Sequence, residues 1–82
     1  MLVYPNPASD IVSVDFNLEN SSLVELSVIN ILGKKVIEVI PNEKFERGNY
    51  HYNINIDNLP VGIYIISYEE NNRVTTQKVF IR

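Results

Sequence analysis

The sequence has no cysteine and no tryptophan, one histidine, one methionine and three glycines. Without cysteine there is neither a disulfide staple nor a thiolate metal site. At 82 residues the chain makes one small domain, 1–82. That is near the size at which a hydrophobic core must hold a fold unaided. Three scattered glycines, Gly33, Gly48 and Gly62, exclude a Gly-rich phosphate loop. No apolar run approaches the ~18 residues of a membrane span. Met1 to Pro5 lacks the charged and apolar regions of a signal peptide, so in an exported protein either these residues are a piece of something longer or Met1 is an added residue. A net charge of −3 and a pI near 4.9 argue against a nucleic-acid or anionic-membrane surface. A hydrophobic content of 45% rules out wholesale disorder. Nowhere do apolar residues recur at the three- and four-residue spacing of a helix.

What is present is strand pattern and turn punctuation. In Leu59-Pro60-Val61-Gly62, Pro60 lacks an N–H and Gly62 tolerates positive φ, which predicts a turn. Ile63 to Tyr68 follows as the most apolar run, predicted to be a central strand buried on both faces. The Pro-x-Gly-x-Tyr spacing predicts a sandwich corner, with Tyr64 bonding to backbone a few residues upstream.

The remaining strands fall into place around it. Leu2 to Tyr4 is a short strand stopped by the stiff bend Pro5-Asn6-Pro7, and Ala8 to Asp10 completes a loop. Ile11 to Leu18 alternates, with Val12, Val14, Phe16 and Leu18 on one face. Leu23 to Ile29 does the same with Val24, Leu26 and Val28, then turns at Asn30 to Gly33, where Gly33 takes the left-handed position. Val36 to Ile40 is a short strand, and Pro41 to Gly48 a charged loop whose Phe45 tucks down as a lid. Tyr50, Tyr52, Ile54 and Ile56 alternate with polar residues. A hairpin loop spans Glu69 to Arg73 and a last strand Val74 to Arg82. Seven short strands at roughly ten-residue intervals predict an all-β, seven-stranded immunoglobulin-like antiparallel sandwich.

Residues for catalysis are not assembled in the pattern. The single histidine, His51, lies on the polar face of an alternating strand, where it is solvated. Asp10, Asp15, Glu19 and Asp57 are scattered and form no Asp-x-Asn-x-Asp-Gly calcium loop. Asn20-Ser21-Ser22 matches a glycosylation sequon, a pattern that arises often by chance. Tyr50 and Tyr52 have the spacing of a sugar-stacking platform, and equally that of ordinary sheet packing. No cofactor is implied, and an enzyme has nothing to stand on.

Four segments in register carry a resemblance: Tyr4-Pro5-Asn6-Pro7, Asn30-Ile31-Leu32-Gly33-Lys34-Lys35-Val36, Leu59-Pro60-Val61-Gly62-Ile63-Tyr64, and Lys78-Val79-Phe80-Ile81-Arg82. Together they closely resemble the C-terminal sorting domain of type IX secretion substrates of Bacteroidetes. Asn30 stands where Asp is frequent and Lys34 where Arg is frequent, neither touching Gly33. The resemblance implies a cargo address, recognised by an outer-membrane translocon after an N-terminal passenger has reached the periplasm. It implies removal by a sortase-like protease upstream of the sandwich, near or before Met1, and a passenger that ends at the cell surface or is secreted. Its sorting-motif positions here are Pro5, Asn6, Pro7, Gly33, Gly62, Tyr64 and Lys78.

Turn and corner geometry alone also explains Pro5 to Pro7, Gly33, Gly62 and Tyr64. Lys78 admits two roles, a guard against edge pairing or a contact for the translocon. Two other classes stand beside the sorting reading: a carbohydrate-binding or adhesive module using Tyr50 and Tyr52, and a structural accessory domain of a secreted enzyme.

Overall fold

The computed structural model describes all of residues 1–82. Seven strands run in chain order: β1 Leu2–Tyr4, β2 Ile11–Leu18, β3 Ser22–Asn30, β4 Lys35–Phe45, β5 Gly48–Asn55, β6 Gly62–Glu70 and β7 Arg73–Ile81. They form two antiparallel sheets, one in the order β1-β2-β5 and one in the order β4-β3-β6-β7. This is the immunoglobulin-like sandwich that the strand pattern predicts. Here the fourth strand pairs with β3 instead of β5, so it belongs to the larger sheet.

Alternation decides what is buried. Val12, Val14, Phe16 and Leu18 of β2 face Val24, Leu26 and Val28 of β3, with Tyr64, Ile66 and Tyr68 of β6 completing the core. Each aliphatic side chain removed from water stabilises by about 1.5–3 kcal/mol. Phe16 anchors an aromatic cluster, its ring 4.9 Å from Tyr68, 5.3 Å from Tyr50 and 6.4 Å from Phe45. No buried side-chain nitrogen or oxygen lacks a hydrogen-bond partner.

Three expectations change. β6 is central in its sheet, flanked by β3 and β7, but only one of its faces is buried. Ile63 on the other face is exposed, because a two-layer domain has no third layer to cover it. Next, Pro41 to Phe45 is strand, not loop. β4 is an edge strand, where the missing N–H of Pro41 removes no essential ladder bond. A bulge opposite Glu25, with Asn42 at φ 35°, breaks the alternation that would have revealed it. Phe45 still packs against the core, from the end of a strand. Finally, the β6–β7 connection is tighter than Glu69 to Arg73. Asn71 and Asn72, at φ 49° and 70°, make the turn by themselves.

Candidate functional site

The β3–β4 turn is built by Asn30. Its side-chain oxygen accepts from the Leu32 and Lys34 amides at 3.0 and 2.9 Å. Gly33 follows at φ 85°, the left-handed region that a Cβ disfavours. The turn lifts Ile31 and Leu32 clear of the sandwich, 76% and 87% exposed.

The corner before β6 forms as the Pro-x-Gly-x-Tyr spacing predicts. The Tyr64 hydroxyl donates to the Pro60 carbonyl at 2.6 Å, and the Tyr64 ring is buried. Gly62 has φ 157°, at the limit of what an L residue adopts, and pairs with Ile81 of β7.

Pro5, Asn6 and Pro7 bend the chain across the outer edge of β7, with both X–Pro bonds cis. Asn6 then acts as a substitute strand. Its side-chain Nδ2 donates to the Lys78 carbonyl at 3.2 Å, and its Oδ1 accepts from the Phe80 amide at 3.0 Å. Ala8 continues in parallel pairing with Ile81, donating to Phe80 O and accepting from Arg82 N at 2.8 and 2.9 Å. Ala8 is itself part of the core, a role that the loop reading of Ala8 to Asp10 missed. No local pattern connects Asn6 with positions more than seventy residues away.

The seven residues expected to form the motif therefore lie along one end of the four-stranded sheet, from the Gly33 turn beside β4 to Asn6 and Lys78 at the opposite β7 edge. Asn6 bonds beside Lys78, Gly62 and Tyr64 pair with Ile81 and Val79, and Asn30, which sets the Gly33 turn, pairs with Tyr64. Six of them shape backbone. Lys78 differs, since its exposed ammonium makes no ion pair and no side-chain hydrogen bond.

A second polar cluster lies on the open face of the smaller sheet. The Asp15 carboxylate bonds the His51 ring through Nδ1 and accepts from the Tyr4 hydroxyl at 2.8 Å. Asn53 Oδ1 takes His51 Nε2 at 2.9 Å and the Ser13 hydroxyl at 2.8 Å. The bond to Asp15 raises the His51 pKa, and the bonds from His51 and Tyr4 lower that of Asp15. Alternation placed His51 on this face correctly, but its partner came only with the register Asp15↔His51. Ser13 bonds Asn53 and not His51, so no activated nucleophile arises. No group of three or more His, Asp and Glu side chains stands close enough to hold a metal ion.

Tyr50 and Tyr52 point inward. Phe16 stacks on them at 5.3 and 6.1 Å, and Tyr50 OH is committed to Glu46 O at 2.7 Å. They serve sheet packing, and the flat exposed platform that a sugar ring needs is not formed by this pair.

Comparison with known proteins gives two findings. The family model described as "Secretion system C-terminal sorting domain" matches residues 2–82. The chain is also similar to "Ulvan lyase NLR42" of Nonlabens ulvanivorans, 36% identical over 80 residues. That alignment takes in 96% of this chain and 14% of the relative's length. Sequence motifs, sandwich and family match agree throughout: the chain belongs to the family of type IX secretion C-terminal sorting domains.

Proposed function

We propose that this domain is the detachable address of a longer exported protein. An N-terminal passenger reaches the periplasm, the outer-membrane type IX translocon engages the domain, and a sortase-like protease then cuts upstream of β1. Family membership makes the domain a C-terminal sorting signal for type IX secretion, whose carriers are exported to the cell surface or secreted. The single observation that supports the finer reading is placement along one end of the larger sheet. Pro5, Asn6, Pro7, Gly33, Gly62 and Tyr64 build one end of the sandwich, and Lys78 stands free there. In this reading the six shape the surface, Lys78 contacts the machinery, and the domain itself catalyses nothing. The coverage of the lyase relative supports a passenger much longer than the address.

Deletion and substitution test it together. Removing the domain leaves a passenger that folds normally but stays in the periplasm. Lys78→Ala keeps the melting curve, because an exposed unpaired charge contributes little to stability, and lowers export. An accessory domain gives the opposite result, a destabilised passenger that still reaches the surface. A sugar-binding module leaves export untouched.

A further inference from the structure

β7 is the outer strand of its sheet, and only part of its edge is covered. The groups that meet Asn6 and Ala8 belong to Lys78, Phe80 and Arg82, so the even-numbered residues of this strand turn N–H and C=O outward. Further back, Val74 and Thr76 turn the same groups outward with no partner, and Lys78 adds its N–H. Arg73 to Lys78 are exposed on both faces of the strand, whereas Val79 and Ile81 are buried. The stretch is β-branched and holds no proline, so its backbone is free to pair, while the charges of Arg73 and Lys78 discourage pairing with a like edge.

Charge indicates what pairs there. Residues 73–82 carry Arg73, Lys78 and Arg82 and no acid, in a chain whose net charge is −3. A second copy would set one cationic edge against another. A foreign strand with acidic side chains meets no such opposition.

We propose that the edge from Val74 to Lys78 is a docking site for an extended, acidic segment of the export machinery, added as one more strand of the larger sheet. The inference rests on the sorting reading. Asn6 fixes where the added strand must stop, because it already occupies the edge from the Lys78 carbonyl onward. Main-chain bonds supply the affinity and the flanking cations the selectivity.

Thr76→Pro tests this directly. It removes an outward N–H and no bond to β6, the position on an edge strand where proline is tolerated. Thr76→Ser changes the side chain and keeps the backbone donor. Each variant is fused behind the same passenger in a type IX-proficient host, and melting is measured on the isolated domain. The expected result is a folded Thr76→Pro domain with surface passenger reduced about tenfold, the worth of one well-made hydrogen bond. Thr76→Ser is exported like the unsubstituted domain. A folded Thr76→Pro domain that is exported normally overturns the proposal. If proline unfolds the domain, Arg73→Glu with Lys78→Glu decides, and normal export of that folded variant overturns it equally. A dimer in sedimentation that Thr76→Pro dissolves also overturns it, in favour of a second copy. Failure of the unsubstituted domain to be exported refutes the sorting reading instead, so the two failures are distinct.

Discussion

Replacing Asn6 by Ala removes both side-chain bonds that close the edge of β7. A protein hydrogen bond contributes about 0.5–1.5 kcal/mol net. Both bonds lie where water reaches the freed Lys78 carbonyl and Phe80 amide, which favours the lower part of that range. The sum is about 1–2 kcal/mol. In a domain of this size each kcal/mol moves Tm by roughly 4–8 °C, so the variant melts about 5–15 °C lower. Amide hydrogen exchange localises the loss. The Phe80 amide, bonded to Asn6 Oδ1 in the native domain, exchanges rapidly in Asn6→Ala. Asn6→Asp keeps an acceptor for that amide but sets a carboxylate against the Lys78 carbonyl. It therefore melts early while Phe80 stays protected. An Asn6→Ala variant with native Tm and a slow Phe80 amide refutes the latch.

Three further outcomes follow from the geometry. Tyr64→Phe keeps the buried ring and loses the bond to Pro60 O, lowering Tm by about 4–8 °C for ~1 kcal/mol; an unchanged melting curve shows that the corner does not depend on the hydroxyl. Gly62→Val costs ~1–3 kcal/mol because φ 157° suits few L residues. Its Cβ would meet only Tyr64 Cε1, at an ordinary 4.0 Å, so the loss is backbone strain, and an unaltered Tm contradicts the strain. The His51–Asp15 pair gives a pH signature. His51, raised above 6.5, stabilises fully below that value and loses its contribution as pH rises through its folded pKa. Asp15, lowered below 3.8, stabilises above that value and loses its contribution as pH falls through its folded pKa. The pair is strongest between the two, and the His51 ring titrates by NMR above 6.5, moving back toward it in Asp15→Asn. A midpoint at or below 6.5 in the native domain contradicts the pairing.

Much of this was legible in the sequence because it is local. The alternation from Ile11 to Leu18 gave β2 with its bounds and its four inward residues. Gly33 and the asparagines at 71 and 72 marked turns through their tolerance of positive φ. The Pro60-to-Tyr64 spacing marked a corner whose hydrogen bond spans four residues. What stayed hidden depends on register or layer count. Pro41 suggests a loop until β4 is known to be an edge, and Ile63 suggests full burial until the sheet is known to have one covered face. Asn6 and Lys78 both lie in segments that carry the family resemblance, yet only the folded chain places the Asn6 amide on the strand that carries Lys78. Of the residues that carry the resemblance, Asn6 is committed to the edge of β7, whereas the Lys78 ammonium is left unpaired.

Sufficiency for export is the claim on which the rest depends, and one fractionation measures it. Residues 1–82 are fused behind a fluorescent protein that is itself directed to the periplasm, in a type IX-proficient host and in a strain lacking the translocon. The account predicts surface or medium fluorescence in the first and periplasmic retention in the second. Equal surface signal in both strains, or retention in both, contradicts it.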